Sequence, residues 1–560
     1  MFCRTLSPLA GCLMQSHSNR FDALRLLWPW LPLWITAALA AIFMHGPMPM
    51  YSTRTLSVAW EMWHQHSFIV PMLNGAPYSD KTPMLYWLIH AGWAIAGVGD
   101  IWPRVLEVMM GAAELVLATV LARRLFPERV AVAQATPWVL CAFTYAFLFG
   151  LQTMYEVLLA ACVLAALVSL TPSSRREAPR FIGFALALGI GLLTKGPVML
   201  LHVAFPWLLG PLWNDWARRE SRRWYAGGLL AVLTGCAMLL AWALTAASIG
   251  GPAYREQLLF HQTAGRVVEA FAHAKPLWWY LPVLPLLVFP FALWPRLWFA
   301  LCALRRPFEP GLRFVFAWLV PVLLVFSLIS GKQPYYLLPE CAGFALLFAA
   351  AVTRWQPNHA SLATSRWLSP WPLAVLAVGA GLFLMALPQL IAHGLIRDTQ
   401  LVALGAFSTA FGVLYLLLGG LLLPGRSELH RIALVGLLGA VAANGLFTLT
   451  WWPAFDLKPV AVLLARAEAQ GRPVANLETY DGQFDFLGRL TLPIAQLSEG
   501  ESVQVWAKAH PQGLIVSYPA TVTSLDRRIA LYVQPFRGVW LTIWPASELA
   551  AGREGLPKAN

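Results

Sequence analysis

Eight ionisable residues stand at the ends of apolar runs or in the loops joining them: Arg54, Asp80, Lys81, Glu156, Lys195, His261, Arg266 and Lys332. A charge held near membrane depth is costly unless it meets a partner or a wet cavity, so such residues mark functional candidates. Five of the eight are cations, and guanidinium and ammonium groups suit a phosphate or diphosphate anion. A lipid-linked phosphate would bring its head to this depth while its chain stays in the bilayer. Lys195-Gly196-Pro197 and Ser330-Gly331-Lys332-Gln333 each read as opening a span, where a helix N-terminal dipole would strengthen an anion site. Asp80 and His261 are each capable of binding a divalent metal or of acid/base work. Two plainer readings stay open beside these: Asp80 pairing with Lys81 or Arg54, and His261 as an interface histidine.

The elements that position them follow from composition. Of 560 residues, 58% are hydrophobic and 12% charged, against roughly 25% charged in soluble domains. With a mean hydropathy of +0.61, the chain reads as an all-α polytopic membrane protein with about 13 apolar runs of spanning length, from 25–45 to 432–451. Arginines cluster in alternate short loops, at Arg123/Arg124/Arg129, Arg175/Arg176/Arg180, Arg218/Arg219/Arg222/Arg223, Arg305/Arg306/Arg313, Arg354/Arg366 and Arg426/Arg431, and Arg4, Arg20 and Arg25 precede the first run. By the positive-inside rule these faces are cytoplasmic. An odd number of spans then puts the N-terminus in the cytoplasm and the polar tail on the periplasmic side of a bacterial inner membrane. The net charge of +13 needs no nucleic acid to explain it: residues 1–452 hold 30 basic and 17 acidic side chains, and 453–560 hold 10 of each.

Two loops on the far side are long, at about 46–103 and 248–276, and their aromatic and aliphatic spacing fits helices lying in the membrane interface. The seven cysteines all precede residue 453 and show no metal-binding spacing; they read as small buried hydrophobes. Residues 453–560 change character. Pro459–Ala469 is amphipathic, and runs beginning at Arg472, Gly513 and Gly538 read as strands between turns, so this stretch is expected to be a small α/β domain.

Several motifs carry a resemblance. Thr53-Arg54, Pro71-Met72-Leu73-Asn74-Gly75, Tyr78-Ser79-Asp80-Lys81-Thr82-Pro83, Leu193-Thr194-Lys195-Gly196-Pro197, Lys275-Pro276-Leu277-Trp278-Trp279-Tyr280 and Gly331-Lys332-Gln333-Pro334-Tyr335-Tyr336 occur in this order. They resemble bacterial GT-C glycosyltransferases of the protein O-mannosyltransferase-like superfamily, including the lipid A aminoarabinose transferase group. The resemblance implies an inverting transfer of a sugar from a polyprenyl phosphate to a lipid or glycan acceptor on the periplasmic side, with membrane lipids around it and no nucleotide or redox cofactor. It implies donor-phosphate contacts from Arg54, Lys81 and Arg266, with Tyr78, Lys332, Tyr336 and Lys195 nearby, and a divalent metal at Asp80 and His261.

The chain also departs from the pattern. Where the family loop opens with Asp-Glu, this sequence has Tyr51-Ser52; a later Asp is Glu156, and Lys-Pro-Pro is Lys81-Thr82-Pro83. Three readings follow: catalysis carried by Glu156 or Asp80, an acceptor that is itself a phosphate, or a lipid-binding protein without turnover.

Overall fold

The computed structural model of the protein describes residues 26–550 apart from 29, 174–176, 260–273, 306, 356–364, 396–403, 405–406, 423–426 and 499–500. It is predominantly helical. Among the described residues six helices are long and apolar enough to cross a membrane alone: Ile101–Leu125, Ser221–Ile249, Pro310–Leu328, Pro334–Arg354, Trp371–Ala392 and Glu428–Thr450. A pair, Val130–Cys141 and Thr144–Gly150, is long and apolar enough when taken together and is bent by 62° at the break, the form of a broken span or a re-entrant loop. Apolar helices of 10–17 residues, such as Tyr155–Leu170 and Phe181–Lys195, complete the helical body.

Burial sorts the helices by position. Ser221–Ile249 presents Leu229, Leu230, Leu233, Leu240 and Leu244 outward, as a lipid-facing span does. Pro334–Arg354 is central, with Leu337, Leu338, Cys341, Ala342, Ala345, Leu346 and Ala349 all buried. Trp371–Ala392 and Phe407–Leu421 approach so closely that a Cβ on Gly381 would lie 2.8 Å from the Gly412 carbonyl, the small-residue contact that lets apolar helices pack backbone to backbone.

The bent pair matters for the site. Phe143 is extended between its two helices, and the Thr144 amide donates to the Phe289 carbonyl at 3.0 Å rather than within a helix. The second helix ends at Gly150, and residues 151–154 then lead directly into Tyr155–Leu170, whose first turn carries Glu156.

Beyond Thr450 the chain builds a five-stranded mixed sheet. Strands β3 (Val474–Leu477), β4 (Ala495–Leu497), β5 (Leu514–Ser517), β6 (Tyr532–Phe536) and β7 (Val539–Pro545) lie in the order β4-β3-β5-β7-β6. The β3–β4 and β3–β5 pairs are parallel, and β7 runs antiparallel to both neighbours. The central strand β5 is buried at all four residues, as its all-apolar start, Leu514-Ile515-Val516, requires. Helix Lys458–Ala469 lies where the sequence has its amphipathic run.

The first long loop is helical at two places, as its aromatic and aliphatic spacing leads one to expect. It forms helix Ser52–His64, a hairpin of β1 (Met72–Leu73) and β2 (Ala76–Pro77), and helix Met84–Ala96. Ser52–His64 is buried at nine of its thirteen residues, and what covers it is the segment between β3 and β4. Ser57 Oγ accepts the Phe486 amide at 3.0 Å, and the Trp60 indole donates to the Leu490 carbonyl at 2.8 Å. The Trp93 and Phe486 rings stack with centroids 5.6 Å apart, and the Arg489 guanidinium lies over the Phe486 and Trp60 rings. Polar groups such as Ser57, aligned with apolar Leu56, Val58 and Ala59, suit a protein contact better than a lipid one.

Candidate active site

Two clusters flank the start of helix Tyr155–Leu170. The first gathers around Arg54, one turn into helix Ser52–His64. Its Nη1 lies 3.4 Å from the Asp481 carboxylate, with both side chains about one-third exposed. Burial works against the Arg54 charge, but the fields of Tyr78, Asp481, Tyr86 and Asp80 outweigh it and the guanidinium is held above its ordinary pKa. Arg54 is therefore a permanent cation in a ring of tyrosines and acids. Tyr78 leaves the β1–β2 hairpin, whose end is closed by its amide donating to the Pro71 carbonyl at 2.7 Å. Asp80 and Lys81 follow at once, half-buried, before Pro83 caps helix Met84–Ala96. Tyr86 on that helix meets Tyr155 edge-on at 5.9 Å, which ties this cluster to the next.

The second cluster is built on an ion pair. The Lys195 ammonium lies 2.8 Å from Glu156 Oε1, with side chains 17% and 7% exposed. Lys195 also faces the rings of Tyr336 at 5.0 Å and Tyr335 at 5.9 Å, favourable contacts for a partly desolvated cation. Tyr51 meets Tyr335 edge-on at 6.0 Å, so position 51 borders this cluster. Lys195 is the last residue of helix Phe181–Lys195, ended by Gly196 at φ +67°. It therefore closes a helix, where a cation complements the carbonyl end, and helix Val198–Leu208 opens directly after Gly196-Pro197.

The remaining expected site residues fall differently. Lys332 is 1% exposed, and its ammonium donates to the carbonyls of Lys275 at 2.9 Å and Ile329 at 2.6 Å. It latches two loop segments, also joined by the Ala274–Gly331 bridge, with two of the three ammonium donors engaged. His261 and Arg266 lie outside the described residues. Among the described residues no three His, Cys, Asp or Glu side chains converge, so Asp80 is the one expected metal donor these residues supply.

Two residues escape the list drawn from sequence. Asp481 pairs with Arg54 across more than four hundred residues of chain, and nothing local marks it. Glu107, 1% exposed inside helix Ile101–Leu125, accepts the Met154 amide at 3.3 Å beside Glu156. An acid within an apolar run was visible, and the cost of burying it is the signal that applied. A cavity of about 290 Å³ is bordered by Ser52 and Thr153 with Ile42, His45, Arg104 and Phe447.

A bundle of broken and continuous apolar helices, covered at one end by the first loop and the terminal sheet beside paired cations and acids, resembles the architecture of GT-C membrane proteins. Its fold is that of ArnT from Cupriavidus metallidurans, solved bound to undecaprenyl phosphate, with a TM-score of 0.70 and 20% identity over 94% of this chain and 99% of that one. A family profile described as dolichyl-phosphate-mannose-protein mannosyltransferase matches residues 80–242. In sequence the chain is 32% identical over 363 residues to an undecaprenyl phosphate-alpha-4-amino-4-deoxy-L-arabinose arabinosyl transferase of Pseudomonas paraeruginosa, covering 60% of this chain and 61% of that protein. It is 30% identical to the protein of the same name in Pseudomonas savastanoi pv. phaseolicola, covering 60% and 62%. The chain thus matches about three-fifths of the length of these relatives. The likeness read from the motifs holds: this is a protein similar to the protein O-mannosyltransferase-like GT-C glycosyltransferases, and to their aminoarabinose transferase group in particular.

Proposed function

We propose that the protein is an inverting glycosyltransferase that moves a sugar from undecaprenyl phosphate or a similar polyprenyl phosphate to a lipid or glycan acceptor, such as a phosphate of lipid A. The observation that carries this reading is the pairing of two clusters at one helix start: a cationic one around Arg54 and Lys81, and an acid–cation one at Glu156 and Lys195. The first suits a lipid phosphate and the second suits the reacting centre. Sequence likeness to aminoarabinose transferases supports the donor class.

In this reading Arg54 and Lys81 hold the donor phosphate, with Tyr78 beside them and Arg266 joining from the second outer loop. A guanidinium can grip two phosphate oxygens at once, which fixes the leaving group in line. The acceptor oxygen bonds to the anomeric carbon from the opposite face as the bond to the phosphate oxygen breaks, and the electron pair departs with polyprenyl phosphate. A hydroxyl acceptor passes its proton to Glu156; a phosphate acceptor, already anionic, has none to lose. Lys195 holds the Glu156 carboxylate in place through the 2.8 Å contact. A divalent metal at Asp80 and His261 would add Lewis-acid stabilisation there. The arginine clusters favour a multi-pass inner-membrane protein with a cytoplasmic N-terminus, a membrane module of residues 1–452 and a periplasmic α/β domain of 453–560.

The test uses the full chain in liposomes with polyprenyl-phosphate sugars. Release of free polyprenyl phosphate only when an acceptor such as lipid A is present supports transfer. Donor binding without release, across pentose and hexose donors and several acceptors, overturns it in favour of a silent lipid-glycan binder. Tyr51, at the place where an acid is usual in the resembling family, is the observation behind that second reading.

A further inference from the structure

The end of the bundle away from Arg54 carries a second convergence of cations. Helix Pro334–Arg354 starts with Tyr335 and Tyr336 beside Lys195 and ends at Arg354, about 27 Å further along at 1.5 Å per residue. There Arg354 meets Arg129, which precedes helix Val130–Cys141, and Arg313, in the first turn of helix Pro310–Leu328, around an open cavity of about 390 Å³. Among the described residues Glu309 is the one acid lining it, and its carboxylate is paired with Arg129. Two guanidinium charges are left over.

The arginines are held in place around the cavity. Arg129 Nη2 donates to the Ala350 carbonyl at 2.7 Å and to Thr353 Oγ1 at 2.8 Å. Arg313 Nε donates to the Phe308 carbonyl at 2.7 Å, and its Nη1 to the Leu212 carbonyl at 3.3 Å. A guanidinium has five N–H donors, so Arg313 has donors to spare. Arg354 is exposed and makes no hydrogen bond or ion pair among the described residues. Setting orientation in the membrane requires only that arginines lie in a loop, and does not require three of them to border one cavity. Another basic loop shows the difference: Arg218 and Arg223 are exposed and lie 3.7 and 3.5 Å from Asp215 and Glu220 of their own helical turns.

Such a cavity fits a phosphate head, and helix Pro310–Leu328 indicates of which kind. Val320, Leu324 and Leu328 are 47%, 60% and 72% exposed, and they follow Arg313 at spacings of seven, four and four, which is one face of a helix. From Arg313 to Leu328 that face runs about 22 Å, longer than the roughly 15 Å of hydrocarbon in one leaflet. A free phosphate has no use for an apolar stripe of that length, whereas the chains of a phospholipid do. We propose that the cavity of Arg129, Arg313 and Arg354 binds the headgroup of an anionic phospholipid whose chains lie along the Val320, Leu324 and Leu328 face. Basic pockets between spans at the inner face of a membrane recognise lipid phosphates in this way. The site is separated from the transfer site by most of a bilayer and does not rest on the transfer reading.

Native mass spectrometry of the full chain in detergent, titrated with cardiolipin, tests this. One tight lipid is expected per protein. Arg313→Gln with Arg354→Gln should weaken it roughly thirtyfold, the scale of two arginines at a lipid surface. Arg354→Gln alone, which disturbs no hydrogen bond within the protein, should weaken it roughly fivefold and keeps the test clear of folding. Arg219→Gln with Arg222→Gln removes the same charge from the other basic loop and should leave binding as it is. Phosphatidylethanolamine, with similar chains and no net charge, should bind no better than cardiolipin does to the double variant. Wild-type affinity in the Arg313 and Arg354 variants overturns the inference, as does an equal loss in the Arg219 and Arg222 pair. Displacement of cardiolipin by millimolar inorganic phosphate would make this a site for a free anion and overturn the lipid assignment.

Discussion

Asn74 grips the backbone of Ile494 from both sides: its Nδ2 donates to the Ile494 carbonyl at 3.0 Å, and its Oδ1 accepts the Ile494 amide at 2.7 Å. The hairpin that delivers Tyr78, Asp80 and Lys81 is thereby clamped to the strand entering β4. Next to it, Gly75 at φ +79° lies so near Pro493 that a Cβ would approach within 2.7 Å. Asn74→Ala strands two backbone groups, at a cost of about 1–3 kcal/mol. The expected outcome is a lower thermal unfolding midpoint and a raised donor KM, although Asn74 itself is not placed at the phosphate.

Lys81→Ala removes a cation assigned to the donor phosphate. A charge-assisted contact of about 1.5–3 kcal/mol corresponds to roughly a ten- to hundredfold loss of affinity. Binding of a fluorescent polyprenyl phosphate to the protein in detergent should weaken by that factor, and unchanged binding would remove Lys81 from the site.

Lys195→Met leaves the Glu156 carboxylate buried without its partner. Breaking a buried pair from one side costs about 3–5 kcal/mol, and the partial exposure of Lys195 puts this case at the lower end. The double variant Lys195→Met with Glu156→Met should regain much of the stability, read by thermal unfolding, and none of the turnover.

Asp485 supplies a pH dependence. It accepts a hydrogen bond from the Tyr480 hydroxyl in the segment that covers helix Ser52–His64, and burial pushes its carboxyl from 3.8 up to about 7. The folded protein therefore binds this proton more tightly than the unfolded chain. The stability it contributes is fully present below about pH 4, is lost as the pH climbs to about 7, and is constant beyond. Glu61 in the same interface is shifted in the same direction, burial again being the largest cause. Unfolding midpoints should fall between pH 5 and pH 7, and Asp485→Asn should flatten that slope.

Much of the architecture could be read from local pattern. Apolar length reveals spans such as Ile101–Leu125, and short apolar runs between turns reveal β5 and β7. The cations Arg54, Lys81 and Lys195 were visible because charge amid apolar residues is costly wherever it lies. What local pattern does not carry is pairing at long range. The contact of Arg54 with Asp481, and the burial of Ser52–His64 by residues 484–494, depend on parts of the chain more than four hundred residues apart. The Lys332 ammonium reads as an anion ligand from its sequence, and only loop geometry brings it to the carbonyls of Lys275 and Ile329 as well.

The stack of Trp93 on Phe486 also sets a schedule for biosynthesis. The two rings are about 390 residues apart in the chain, and synthesis at roughly 5–20 residues per second separates their emergence by about 20–80 s. For that interval the first loop lacks the residues that cover it, which are made almost four hundred positions later. A chain cut short before Phe486 carries its long apolar helices with the first loop uncovered, a ready target for quality control.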